Sequence, residues 1–224
     1  MQQARSKLAL ACRRWMLSTQ PALPALAGSA LQAGGHVAGV SGISAPSPTQ
    51  LDQIVKLDHL LNKSGDEVAE IWEQYHSDPK GGRVGTVMTA ADYRTFVQRA
   101  KESPMFVLPL ARPQGYETLL VQAQLPFVLI TGLEEFKRHG ESAPPYLTLT
   151  HYAELLDSHG LALVRGDVIH DKALSLSQAR TIMEVTRAFY VSDEDYPLVH
   201  TFNHRPAAFR FDLLLGKLGL PAEP

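Results

Sequence analysis

The spacing of apolar residues changes twice along this chain, from a helical period to a strand period and back, and that switch confines the fold more than any other feature. Ser64 and Glu67 form a capping box, after which Val68, Ile71, Trp72 and Tyr75 fall at i, i+3, i+4 and i+7, with Asp66, Glu70, Glu73 and Gln74 off that stripe. Thr89 with Asp92 opens a second helix whose stripe is Tyr93, Phe96, Val97 and Ala100, and Pro104 closes it. Ser175 with Gln178 opens a third, carrying Ala179, Ile182, Met183 and Phe189 on one face. A fourth is expected from Pro206 to about Leu218, before Gly219. Between the second and third the period is two. Phe106–Leu110, Tyr116–Gln124 and Phe127–Thr131 read as strands separated by Pro113-Gln114-Gly115 and Leu125-Pro126. Tyr146–Tyr152 alternates as a strand with one wet face, Leu161–Ile169 is another, and Leu198–Phe202 fits a last short one. Glu134–Gly140 fits either a helix or an extension of the strand before it. Helices flanking strands joined by short turns predict an α+β fold, a single domain with a mostly antiparallel sheet of about five to six strands.

Charge divides the chain unevenly. The first acidic residue is Asp52, and before it stand only Arg5, Lys7, Arg13 and Arg14, with Leu8, Trp15 and Leu17 among Ala and Ser. A basic, acid-free, amphipathic start predicts a cleavable targeting presequence over residues 1–19, mitochondrial first and plastid second. Residues 20–50, rich in Ala, Gly, Pro and Ser, bury too little apolar surface to offset the entropy of ordering and are expected to be a disordered linker. Periodic patterning starts at Leu51, so residues 51–224 are expected to form the folded domain. Without the four leading cations, 17 basic residues face 23 acidic ones, a balance near −6 against −2 for the whole chain. Such a surface disfavours nucleic acid as a partner. No apolar run reaches the ~18 residues of a membrane span, so no membrane insertion is expected.

Patterns that would carry chemistry do not emerge. Cys12 is the only cysteine and lies in the expected presequence, which removes thiol and cysteine-ligated metal chemistry from the mature chain. Gly81-Gly82-Arg83-Val84-Gly85 lacks the lysine of a phosphate loop and reads as an ordinary loop. His200 and His204 have a spacing that would face one ion on a helix, but Pro206 argues against helix in Asn203-His204-Arg205, so no metal site is expected. His151, alternating with Leu147 and Leu149, reads as a hydrogen-bonded core histidine. Asp193-Glu194-Asp195 reads as a solvated acidic turn without the spacing of a calcium loop. No nucleophile elbow is present. No catalytic residue, cofactor or small-molecule substrate is therefore expected; an organellar enzyme or small-ligand binder with an unrecognised site is the alternative. The last helix has apolar residues on two sides, Phe211, Leu214, Leu215 and Leu218 on one and Phe209 and Leu213 on another, and so is either sandwiched or offers a face to a partner.

Four stretches carry a resemblance. Glu70-Ile71-Trp72-Glu73-Gln74-Tyr75-His76, Arg112–Glu117 with its Gly115-Tyr116-Glu117, Leu147–Tyr152 followed by Glu154-Leu155, and Thr201-Phe202-Asn203-His204-Arg205-Pro206 with Phe209 resemble, in order, the mitochondrial assembly factor of the ATP synthase catalytic head. The resemblance implies a non-catalytic chaperone of the mitochondrial matrix that binds the unassembled beta subunit and prevents its aggregation until alpha subunits replace it. Trp72, Tyr116, Phe202, Asn203 and Arg205 are the partner-binding candidates it implies. The chain departs from the family at two points: the charged segment ahead of the first capped helix is nearly absent, and His204 stands where an aliphatic residue is expected.

Overall fold

Every strand in the sheet runs antiparallel to its neighbours, in the order β1 (Arg83–Thr89), β6 (Leu161–Val168), β5 (Leu147–Tyr152), β4 (Phe127–Gly132), β3 (Gly115–Gln124) and β2 (Met105–Arg112). The computed structural model describes residues 49–112 and 115–219, so the expected presequence and nearly all of the expected linker lie outside the described residues. The helices are α1 Leu51–Ile54, α2 Leu57–Leu60, α3 Gly65–Tyr75, α4 Ala90–Glu102, α5 Leu133–His139, α6 Leu156–His159, α7 Leu176–Val191, α8 Tyr196–His204 and α9 Phe211–Lys217. The α+β expectation holds.

The three helices read from local caps start where their caps stand. Ser64 accepts from the Glu67 amide and Ser175 from the Gln178 amide, each answered by the N3 side chain, while Thr89 accepts from the Asp92 amide. Four expectations change, and the open one is decided. Gly82-Arg83-Val84-Gly85 is not all loop, because Arg83 begins β1; Gly85 sits under the end of α3, where an added Cβ would lie 2.8 Å from the His76 Cβ. Glu134–Gly140 resolves as helix through His139. Strand β5 has no wet face: all six residues are buried, Thr148 and Thr150 included, because it is a central strand. Leu198–Phe202 is helical, within α8, and the expected single helix from Pro206 is a 3-10 turn over Pro206–Ala208 followed by α9. The proline rule acts on one residue only: Arg205, at φ −142° and ψ 60°, leaves the helix, and His204 before it does not.

Two cores use the sheet. Leu147, Ile130, Val121 and Phe106 are successive cross-strand neighbours, all buried, and belong to the larger core with Phe96 of α4, Ile182 and Phe189 of α7, Val199 of α8 and Leu214 of α9. The smaller core joins Leu51, Leu60, Val68 and Trp72 to Tyr152, Leu155 and Leu163. His151 lies in the larger core as expected, its ring stacked 4.9 Å from Phe96 and its Nδ1 donating to the Pro126 carbonyl at 3.2 Å. Burial pushes its pKa down to about 4, so the imidazole is neutral.

Candidate partner-binding surface

The C-terminal arm, α8 and α9 with the turn between them, closes over the β2 edge of the sheet. Asn203 makes the junction: its Oδ1 accepts from the Met105 amide at 3.0 Å, and its Nδ2 donates to the Met105 carbonyl at 2.6 Å and to the Val199 carbonyl at 2.8 Å. One side-chain amide thus gives an edge residue the bonds a neighbouring strand would give. Since Pro104 turns its carbonyl inward to Ala123, alternation points Met105, Val107 and Pro109 outward. Pro109, which has no amide hydrogen, therefore costs the ladder nothing.

Beneath the arm runs a line of rings. Phe189 meets Phe106 at 5.2 Å, Phe106 meets Phe202 at 5.9 Å, Phe202 meets Phe209 at 5.1 Å, and Phe209 leads through Phe211 to Tyr116, stacked at 6.2 Å on the β2–β3 hairpin. Beside Tyr116, Glu117 accepts from Arg112 and from the Tyr146 hydroxyl at 2.9 Å. Burial of the ring and that carboxylate push the Tyr146 pKa up to about 12. Gly132 makes room: a Cβ there would stand 2.6 Å from both Glu117 Oε1 and the Tyr146 hydroxyl.

Polar ties fasten the arm's base. Arg99 of α4 donates to the Tyr190 and Val191 carbonyls at 3.2 and 2.9 Å, covering the negative end of α7, and pairs with Asp193. Its guanidinium lies 4.5 Å from the Tyr196 ring. Lys217 pairs with Asp195 at 2.9 Å and donates to the Glu194 carbonyl. The acidic turn read as merely solvated is thus a joint between α4, α7 and α9.

The five expected partner-binding residues separate into two places. Tyr116, Phe202 and Asn203 are half-buried along the arm, and Arg205 is exposed beside them with no ion-pair partner among the described residues. Trp72 is elsewhere. It is 1% exposed on the opposite side, its Nε1 donating to the Val164 carbonyl at 3.0 Å, so its indole cannot touch a partner while α3 stays docked. Leu213, read from the sequence on the second apolar side of the last helix but not among the five candidates, is 53% exposed on α9.

An open groove of about 660 Å³ follows α4 past Tyr93, Val97 and Lys101. No helix among the described residues is long and apolar enough to cross a membrane.

The family described as ATP11 protein matches residues 27–215. Two vertebrate proteins named ATP synthase mitochondrial F1 complex assembly factor 1 are similar: the zebrafish one is 31% identical over 75% of this chain and 55% of its own length. The human one is 31% identical over 77% of this chain and 53% of its own. Protein atp11, mitochondrial, of Schizosaccharomyces pombe is 33% identical over 47% of this chain and 39% of its own length. The chain spans about half the length of the vertebrate relatives it matches. With the family match running from the residues ahead of α1 to Leu215 in α9, the chain belongs to the ATP11 protein family.

Proposed function

We propose that this protein is a non-catalytic assembly chaperone of the mitochondrial F1 ATP synthase, which holds the unassembled beta subunit in the matrix until alpha subunits take its place. The observation that carries this reading is the extent of the likeness to proteins named as F1 assembly factors, 170 to 178 residues through the folded body. The arm suits such work physically. Transient masking of an apolar client surface needs hydrophobic area that is accessible without being lost from the fold, and a rim that keeps the free protein soluble. Leu213 is exposed and Phe202 half-buried, with the exposed charges of Arg205 and Arg210 around them. Arg205, Phe202, Asn203 and Tyr116 are the proposed contact residues, with Arg205 as a direct contact and Asn203 holding the surface in shape. Trp72 enters only as the anchor of α3 behind Tyr75, which is 51% exposed.

The full chain mixed with isolated beta subunit should form a complex and suppress its light scattering on warming at near-equimolar ratio. Absence of both complex and suppression at micromolar concentrations overturns the reading. Arg205→Glu, on an exposed residue, should weaken the complex without altering the fold.

A further inference from the structure

Helix α8 carries His200 and His204 one turn apart, and the end of α4 brings Glu102 against them. One nitrogen of each imidazole and one oxygen of the carboxylate all lie within 4.8 Å of one another. The imidazole rings are 4.3 Å apart and tilted by 33°. His200 Nε2 stands 3.6 Å from Glu102 Oε1. We propose that Glu102, His200 and His204 form a binding site for a zinc-class transition-metal ion that clips α8 to the end of α4.

The donor set fits the ion. Two imidazoles, which are borderline ligands, with one hard carboxylate suit Zn²⁺ and match poorly Ca²⁺ or Mg²⁺, which take shells of oxygen alone. Tetrahedral bonds of 2.0–2.1 Å put ligand atoms about 3.4 Å apart, so the three donors need to close by little more than an ångström. The side chains have room for it, since Glu102 and His204 are exposed and His200 is half-exposed. A fourth position stays open to solvent.

The surroundings orient the ligands as an outer shell does. The Tyr196 hydroxyl donates to Glu102 Oε2 at 2.8 Å, which leaves Oε1 as the oxygen nearer His200. Ser103 Oγ lies 3.1 Å from the same hydroxyl and 3.3 Å from His204 Nε2. His204 Nε2 also donates to the Glu102 carbonyl at 3.1 Å, which holds the ring over the end of α4 and puts the lone pair a metal takes on Nδ1. The Arg99 charge lies over the Tyr196 ring and is engaged by Asp193. Asn203, which ties α8 to Met105, sits between the two histidines in sequence, so the ion would fasten the same helix beside that tie.

The test is calorimetric titration of the full chain with Zn²⁺, beside Ca²⁺ and Mg²⁺, for the wild type, His200→Ala and Glu102→Gln, with far-UV circular dichroism to verify folding. Among the described residues the polar contact of His200 is with Glu102, so its removal leaves the Tyr196 and Asn203 bonds in place. One Zn²⁺ per chain is expected, with no heat from Ca²⁺ or Mg²⁺, and at least about tenfold weaker zinc binding in both variants. Zinc should also slow amide exchange in α8 of the wild type and not of His200→Ala. No zinc binding at tens of micromolar protein, or equal binding by wild type and both variants, overturns the site. Zinc occupancy is read without any partner, so it stands or falls apart from the assembly role.

Discussion

Helix α3 and the C-terminal arm both lean on the sheet, and they hold on in opposite ways. Helix α3 sinks one indole into the interior, with Val68 and Trp72 almost fully covered and a single buried bond to the Val164 carbonyl. The arm spreads its attachment over half-buried rings and polar ties, Asn203 to Met105, Arg99 to the end of α7, and Lys217 to Asp195. A buried aromatic anchor has no partly released state, because lifting it exposes its whole area at once. A set of modest bonds loosens one at a time, since each is worth only about 1 kcal/mol. The contrast gives the α3 side a concentrated attachment and the arm a distributed one.

The strongest attempt to break that contrast is Trp72→Ala. It should cost about 3–5 kcal/mol, lowering the midpoint of denaturant unfolding while the transition stays single. If α3 melts separately with the sheet intact, the anchor is local and the contrast fails. Acid comes next, through the sheet common to both regions. The folded-state pKa of His151 is held at about 4 against 6.5 for a free imidazole, so the unfolded chain takes up the proton first as pH falls. Its contribution is complete above pH ~6.5 and is lost between there and pH ~4, up to about 3 kcal/mol. Burial lowers the His76 pKa as well, which adds to the same slope from the α3 side. Unfolding measured from pH 4 to 7 should show stability rising with pH, and His151→Phe should flatten the rise.

Asn203→Ala tests the arm itself. It strips the Met105 amide and carbonyl of their partner, at a cost of about 1–3 kcal/mol, and hydrogen exchange should accelerate in α8 and at Met105 while β4 and β5 keep their protection. Uniform loss of protection would mean that the arm is anchored no less firmly than α3. The smallest effect belongs to Arg205→Ala: stability should move by less than about 0.5 kcal/mol, with weaker capture of isolated beta subunit. A full loss of stability there would place Arg205 in the fold and remove it from the surface.

What was legible in the sequence follows the range of the interactions. Ser64, Thr89 and Ser175 announce their helices because a cap and its partner lie three residues apart. Five of the six strands show in the period-two run, whereas β1 does not, since Gly85 answers to His76 on a packed helix and not to its sequence neighbours. Helix α8 was hidden by extending the influence of Pro206 beyond Arg205. That one misreading also hid the meeting of His200 and His204, and Glu102 is about a hundred positions away from both. The candidate surface was half legible. Phe202, Asn203 and Arg205 stand together in the chain and in space, Tyr116 reaches them through the aromatic line, and Trp72 carries the same family signature for the sake of the interior.

The bonding of Asn203 to Met105 has a consequence for how copies of this protein behave toward one another. A free sheet edge is a template on which any extended chain can add a strand. At Met105 the amide of Asn203 fills the place an incoming strand would take, and at Pro109 there is no hydrogen to offer it. The edge of β2 is in this sense made illegible to other strands, and a variant that frees it should polymerise on itself before it fails to fold.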